Sequence, residues 1–417
     1  MAHRGADRRS ESAAHSAGRK VRGLASAFTR GRQTAADTGT LPAALLELAR
    51  AGHPAPLSPG RPDPEAPLRI ATVIPSFRRG SGGHATIVHL LRELQTLGHS
   101  VSLWLVDCEE RHTREPAALT QSSFAEFFHA ESIDLHVGFE DWSGADVALA
   151  TGWQTVARAL LLPDVKARAY LVQDHEPDFY PSSAERLFAE NTYRQGLHCI
   201  AASPWLAELL RTRYGASANH LDLAVDHGVY MPTGEPKLEN MVAFYARAVT
   251  PRRAVPLGLL ALAELSRRRP EVEIALFGED RPLNVPFRHT NLGVLPTSEL
   301  ASLYSRATLG MVFSLTNPSL IGLEMMACGL PCVELASESM LVTFGADGPP
   351  ALVEAEPLAL CAALERLLDN APLRAQLSAA GPATVNGRTW RRAAGQLCDG
   401  LRATCLTSRF EDDTMRR

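Results

Sequence analysis

From residue 68 onward, short apolar runs alternate with stretches that are apolar on one side only. "LRIATVI" (68–74) is apolar at nearly every position, as a parallel strand buried on both faces requires. "HATIVHLLRELQTLG" (84–98) spaces its apolar residues at three and four, which predicts an amphipathic helix with Gly98 as its C-cap. "SVSLWLV" (100–106) is the next strand, and "ADVALAT" (145–151), "ARAYLVQ" (167–173) and "LHCIAAS" (197–203) read as strands each followed by a plausible helix. That alternation predicts a parallel α/β sheet.

A turn-rich stretch, "YMPTGEPKLEN" (230–240), interrupts the rhythm, which then restarts. Strands are predicted at 241–246, 272–278, 309–314 and 331–335, with helices at 255–269, 298–307 and over "NPSLIGLEMMACGLPCV" (317–333) between the last two. We expect four segments: a tail and Pro-rich linker (1–66, with a short helix at 41–50), an N-terminal α/β domain (67–234), a C-terminal α/β domain (235–387), and a last helix with its tail (388–417). No repeat is visible in the sequence, although both halves begin with a strand, a loop and a helix.

Composition narrows this picture. A chain of 417 residues exceeds one ordinary core, and a formal charge of −4 leaves no general attraction to nucleic acid. No run approaches the roughly 18 apolar residues of a membrane span, and the N-terminus lacks the apolar region of a secretory signal, so the expected location is the cytoplasm. Residues 1–33 hold eight Lys or Arg against Asp7 and Glu11 with few large apolar groups. Such a segment is expected to be disordered, and its charge would suit peripheral contact with anionic lipid at the inner membrane face. The seven cysteines are scattered and never in a C-x-x-C pair, which argues against a disulfide framework and a zinc site; no metal is expected.

Four places could carry chemistry. In "PSFRRGSGGHA" (75–85), Gly80, Gly82 and Ala85 fit a dinucleotide pattern, and Asp107 follows at the end of the second strand. That alternative would make the chain an NAD-dependent oxidoreductase. Pro75 to Arg79 nevertheless separate the strand from the first glycine, which suits a longer loop admitting an anionic substrate group, or a purely structural turn. In "YARAVTPRR" (245–253), Arg247 and Arg252 leave a buried strand together and could converge on a diphosphate; Arg253 reads equally as a ligand group or as part of a solvated loop.

In the third stretch, Asn317 or Ser319 can cap a helix whose first N–H groups form an anion site at a strand end. Glu324 lies too deep for a capping acid and sits among Leu320, Ile321, Leu323 and Met325. A carboxylate there needs partners, either ligand hydroxyls or groups of the protein itself. In the fourth, "LVQDHEPDFYP" (171–181), Asp174, His175 and Glu176 follow a strand beside Phe179 and Tyr180, a composition that suits sugar hydroxyls or a general base, or a plain polar turn.

Taken together, the glycine-bearing loop, "ARAVTPR", "LGVL" (292–295) before "SELASLYSRA", and "PSLIGLEMMACGLPCV" resemble the retaining GT-B glycosyltransferases of family four, over roughly residues 68–405. The resemblance implies two Rossmann-like parallel-sheet domains facing a cleft, the N-terminal one on the acceptor side and the last helix crossing back to it. "LAVDHGVY" (223–230) is similar to the strand end and Asp, here Asp226, that close the first domain. "VQDHEPDFYP", "AENTYRQG" (189–196) and "NPSLIGLEMMACG" look most like bacterial rhamnosyltransferases that build surface polysaccharides from dTDP-rhamnose.

What the resemblance implies is a nucleotide-sugar donor, a glycan or lipid-linked glycan acceptor, and no cofactor or metal. Arg247 and Arg252 would stabilise the departing diphosphate, with Asn317, Ser319 and Leu320 at the helix N-terminus, Leu295, Gly82 and Gly83 completing the donor site. Glu324 would accept from the nucleotide's ribose-type ring. Asp174 is a candidate catalytic group, and His84, Asp174, His175 and Glu176 are candidate acceptor or sugar contacts. The family usually carries a first glutamate eight residues before the second, and that position here is Thr316. A deoxysugar donor fits this departure, and so does a catalytically silent binding partner.

Overall fold

A computed structural model describes residues 41–60, 63, 65–112 and 114–407. The expected basic tail (1–40) and the last tail residues (408–417) lie outside the described residues. The chain forms two compact units, one running to Leu171 and resumed from Leu401, the other Val172–Gly400.

The first unit opens with α1 (Leu41–Ala51), which buries Leu41 and Ala44. The linker beyond it is held by backbone bonds from Ala55 to Leu160 O (2.9 Å) and from Ser58 to Val165 O (2.8 Å). Then come β1 (Arg69–Pro75), α2 (Gly82–Thr96), β2 (Ser100–Val106), α3 (Ala117–Phe128), β3 (Asp134–Val137), β4 (Ala145–Ala150), α4 (Trp153–Leu161) and β5 (Val165–Val172). Strand order is β3-β2-β1-β4-β5, with parallel pairing throughout. Ile70, Val73 and Ile74 of β1 are at most 1% exposed, each contributing about 1.5–3 kcal/mol of burial. Gly98, at φ +94°, lets the chain leave α2 for β2 in a conformation other residues adopt at a cost.

The second unit continues with a 3-10 turn (Glu176–Phe179), α5 (Ala184–Thr192), β6 (His198–Ala201), α6 (Pro204–Tyr214) and β7 (Ala218–His220). After the turn-rich stretch 230–240, a six-stranded parallel sheet begins. Its elements are β8 (Met241–Tyr245), α7 (Val255–Arg268), β9 (Glu273–Phe277), β10 (Thr290–Gly293), α8 (Thr297–Arg306), β11 (Leu309–Met311), α9 (Leu320–Ala327), β12 (Cys332–Leu335), α10 (Glu338–Phe344), β13 (Ala351–Val353), α11 (Pro357–Asp369), α12 (Ala371–Val385) and α13 (Trp390–Thr407). The order is β10-β9-β8-β11-β12-β13. Predicted strands and helices fall within a few residues of these, except that the strand predicted over 309–314 ends at Met311 and the following helix starts at Leu320.

That strand order reverses direction at β8. The chain builds outward to β9 and β10 on one side, then returns to β11 on the other, so the loops after β8 and β11 part at the sheet's carboxyl edge. Open α/β sheets bind ligands in such crevices. The core beneath joins Phe244, Leu262, Leu265, Met311, Leu360 and Leu364. Gly258 lets α7 settle onto it: a Cβ there would collide with the Phe244 ring and lie 2.8 Å from Met311 Cε. Gly258→Val should therefore lower stability by about 2 kcal/mol through overpacking, read as a shifted urea midpoint at unchanged slope.

Candidate functional site

Three segments of the second unit meet at the carboxyl edge of the six-stranded sheet: the loop after β8 (246–253), the loop after β11 (312–319) and the stretch 173–179. Asp174 joins them. It is 7% exposed, and its Oδ1 accepts from the N–H of His175 (2.9 Å) and of Asn317 (3.0 Å). Its Oδ2 lies 3.2 Å from Arg252 Nε, an ion pair without hydrogen-bond alignment, since Nε is among the buried atoms lacking such a bond. The Arg252 guanidinium also stacks over Phe179, 4.1 Å from the ring centroid. A cation held against an aromatic face and a carboxylate keeps one orientation.

Asn317 extends the junction. Its Nδ2 donates to Gln173 O (3.1 Å) and Ala202 O (3.2 Å), while its Oδ1 is buried without a partner. Ser319, not Asn317, caps α9: its hydroxyl accepts from Ile321 N–H at 3.3 Å. The capping expectation for Asn317 is thereby corrected, because its amide is spent on the 173–202 segment. Leu320 opens the helix and is half-buried.

The three arginines behave differently. Arg253 turns inward, with Nη1 donating to Ser314 Oγ (2.7 Å) and Phe313 O (3.3 Å); burial lowers its pKa. Its Nη1 is thus engaged within the protein, and Arg253 is not the solvated loop residue of the alternative reading. Beneath it, Glu334 Oε1 accepts from Ser314 N–H (2.8 Å) and Leu335 N–H (2.9 Å), and burial raises its pKa to about 8. Arg252 is held as described. Arg247, two residues past β8, is half-buried, and among the described residues its guanidinium has no hydrogen-bond or ion-pair partner. Leu295, half-buried, follows β10 in the same sheet.

Glu324 lies in the second turn of α9. The residue is half-buried, yet its Oε2 is sealed from solvent without a partner, and the carboxyl receives a hydrogen bond from Tyr230. Burial raises its pKa to about 8, so near neutral pH it is largely protonated. Thr316, at the position of the missing acid, is 3% exposed with its hydroxyl buried and unbonded.

The structure reassigns two expected contacts. His175 is fully buried, its Nδ1 bonded to Asp178 (2.7 Å) and its Nε2 to Tyr214 OH (2.7 Å), so neither ring nitrogen is left for a sugar. His84 in the first unit is likewise committed to Ser81 Oγ (2.8 Å) and Pro75 O (3.1 Å), and burial lowers its pKa to about 4. Glu176 is 6% exposed, with its N–H bonded to Tyr193 OH at 3.1 Å. Gly82 and Gly83 are exposed at the start of α2, where a side chain at Gly82 would meet nothing within 4 Å.

The oxidoreductase alternative needs Asp107 for a ribose. Its carboxylate instead accepts from Ser76 OH (2.8 Å), Arg111 N–H (3.0 Å) and His112 N–H (2.7 Å), fixing the loop after β2. Among the described residues no cluster of His, Cys, Asp or Glu is arranged for a metal, and no helix is long and apolar enough to cross a membrane. None of the seven cysteines is joined in a disulfide.

Sequence reasoning missed Tyr230 as the partner of Glu324 and Glu334 as the anchor of Ser314. A carboxylate inside an apolar strand, "PCVEL", was the available signal for the latter; nothing local signals Tyr230.

Against known proteins, the family model described as WsaF, N-terminal domain, matches residues 139–203, and that of WsaF, C-terminal domain, residues 240–345. Together they take in less than half of the chain. The O-antigen biosynthesis protein RfbC of Myxococcus xanthus is 33% identical over 264 residues, covering 61% of this chain but only 20% of that protein, so the chain spans about a fifth of its relative. Sucrose-phosphate synthase of Thermosynechococcus elongatus superimposes with a TM-score of 0.61 at 17% identity, over 80% of this chain and 98% of that one. Alr3699/HepE of Anabaena, solved with UDP and glucose, gives 0.62 at 14% identity, over 81% and 100%. The fold is that of the GT-B glycosyltransferases, two parallel-sheet α/β domains.

Breaking the central pair tests the site's architecture. Asp174→Asn should cost about 1–3 kcal/mol, because Arg252 then keeps its burial without its counter-charge. A double-mutant cycle with Arg252→Ala should give a coupling of about 1 kcal/mol in urea unfolding; zero coupling means the pair is idle.

Proposed function

We propose that this chain is a glycosyltransferase of surface-polysaccharide assembly, moving a sugar from a dTDP-linked donor, L-rhamnose in our reading, to a growing glycan with retention of configuration. One observation carries the reading: Arg247, half-buried and without a side-chain partner among the described residues, follows β8 in the same loop as the fixed Arg252, and the capped N-terminus of α9 follows the adjacent strand β11 at the switch point of a GT-B sheet. An unneutralised, half-buried cation in that crevice suits an anionic ligand. The matches to both WsaF domains and to an O-antigen biosynthesis protein support the pathway class, and the Anabaena neighbour's complex with UDP and glucose is in keeping with a nucleotide-sugar donor.

In this reading Arg247 and Arg252 neutralise the diphosphate as it leaves, and the backbone N–H groups of Ser319 and Leu320 add oriented dipoles. The pair Asp174–Arg252 is a positioning element. Asp174 uses both oxygens internally, so it is not assigned as the base. Leu295 would line the nucleotide, and Glu324 would receive the 3'-hydroxyl of the nucleotide's deoxyribose on its unbonded Oε2. The acceptor is a glycan, free or lipid-linked.

Arg247→Ala should weaken dTDP binding by about 1.5–3 kcal/mol in calorimetry; unchanged affinity refutes the assignment. A pH profile tests Glu324. Hydroxyls donate best to the ionised carboxylate, and the free protein holds this carboxyl protonated up to about pH 8. Affinity for dTDP should therefore rise up to about tenfold between pH 7 and 9, with proton release on binding. In Glu324→Gln the slope should vanish. Nucleotide binding with no turnover of any donor would turn the reading towards a silent partner.

A further inference from the structure

Along residues 314–319 the usual sorting of side chains is inverted. Ser314, Thr316, Asn317 and Ser319 are 0–5% exposed, while Leu315 stands 52% exposed among them. A single exposed leucine is ordinary on a protein surface. This one is held outward by a backbone clamped on both sides. Its own N–H donates to Arg252 O at 3.0 Å, and the Ser314 N–H before it is bound to Glu334. After it, Thr316 O accepts from the Ser339 hydroxyl, and Asn317 N–H is fixed to Asp174.

The result is an aliphatic side chain fixed beside the arginine loop at the sheet's switch point. Val249, 63% exposed between Arg247 and Arg252 in sequence, adds a second apolar group to the same loop. The polar atoms around Leu315 are withdrawn from solvent: Ser314 Oγ and Asn317 Nδ2 are held in internal bonds, and Asn317 Oδ1 and the Thr316 hydroxyl are sealed.

We propose that Leu315 is a specificity-determining residue that packs against the donor sugar and selects a deoxygenated edge, the methyl group of a 6-deoxyhexose over the hydroxymethyl of the parent hexose. This rests on the glycosyl-transfer reading above. A methyl laid on Leu315 leaves water for an apolar surface, whereas a hydroxyl in the same place loses its water without gaining a partner. One such group in an apolar contact is worth roughly tenfold or more in discrimination.

Two donor pairs isolate the C6 hydroxyl: dTDP-L-rhamnose with dTDP-L-mannose, and dTDP-6-deoxy-D-glucose with dTDP-D-glucose. Release of dTDP by hydrolysis gives kcat/KM for each with wild type, Leu315→Ser and Leu315→Asn, alongside dTDP affinity by calorimetry and a thermal melt to verify folding. The wild type should favour the deoxy member of a pair by roughly tenfold. Both variants should lose most of that preference while keeping dTDP affinity. Turnover with a preference that neither variant changes overturns the assignment of Leu315 and leaves glycosyl transfer standing, as does a wild-type preference for the hydroxylated sugar. Failure to turn over either pair overturns the inference, and absence of dTDP binding as well overturns the transferase reading with it.

Discussion

The carboxylate of Asp174 is the constraint on which the candidate site depends. A buried charge is tolerable only when its oxygens are occupied, and here they are occupied by groups from two other segments, Asn317 lying 143 residues away. Because Asp174 must be satisfied, the loop after β11 and the arginine loop after β8 are drawn to one place. Arg252 is thereby held over Phe179. The junction adds no large net stability, since desolvation offsets much of such a pair's attraction; its effect is to specify geometry.

A gradient of freedom runs through the three arginines. Arg253 donates to Ser314 and Phe313, Arg252 is half committed, and Arg247 has no side-chain partner among the described residues. Sequence could not rank them, because all three follow one strand within seven residues and share one chemistry. Their ranking depends on partners far along the chain, Asp174 and residues 313–314, which no local pattern predicts. The same holds for His175. As part of a polar, aromatic turn it reads like a sugar contact, whereas the fold surrounds it with Asp178 and Tyr214 and makes it a structural cross-link.

What local pattern does encode is the scaffold. Fully apolar runs placed β1, β2 and β8 almost to the residue, since a strand buried on both faces leaves little else in its composition. Boundaries drifted where tertiary bonds override periodicity. The run 312–314 is apolar enough to extend β11, but its backbone turns to meet Arg252 and Glu334, so the strand stops at Met311. The start of α9 moved to Leu320 because Asn317, a good cap by chemistry, is drawn away by Gln173 and Ala202.

Glu324 shows how far such reasoning reaches. Its position in an apolar helix signalled a carboxylate needing partners, and the structure supplies only one, Tyr230, leaving Oε2 bare. A purely structural acid would be expected to have both oxygens satisfied, because each unpaired buried group costs about 1–3 kcal/mol. Protonation relieves part of this by removing the charge, which is what its raised pKa expresses, but a protonated carboxyl still carries an unfilled acceptor. Two further buried polar atoms on the neighbouring loop, Thr316 Oγ1 and Asn317 Oδ1, are also unbonded. Of these three unfilled groups within nine residues, Glu324 is the one that can shed a proton and so gain strength as an acceptor, and its missing partner is the one a ligand hydroxyl would supply.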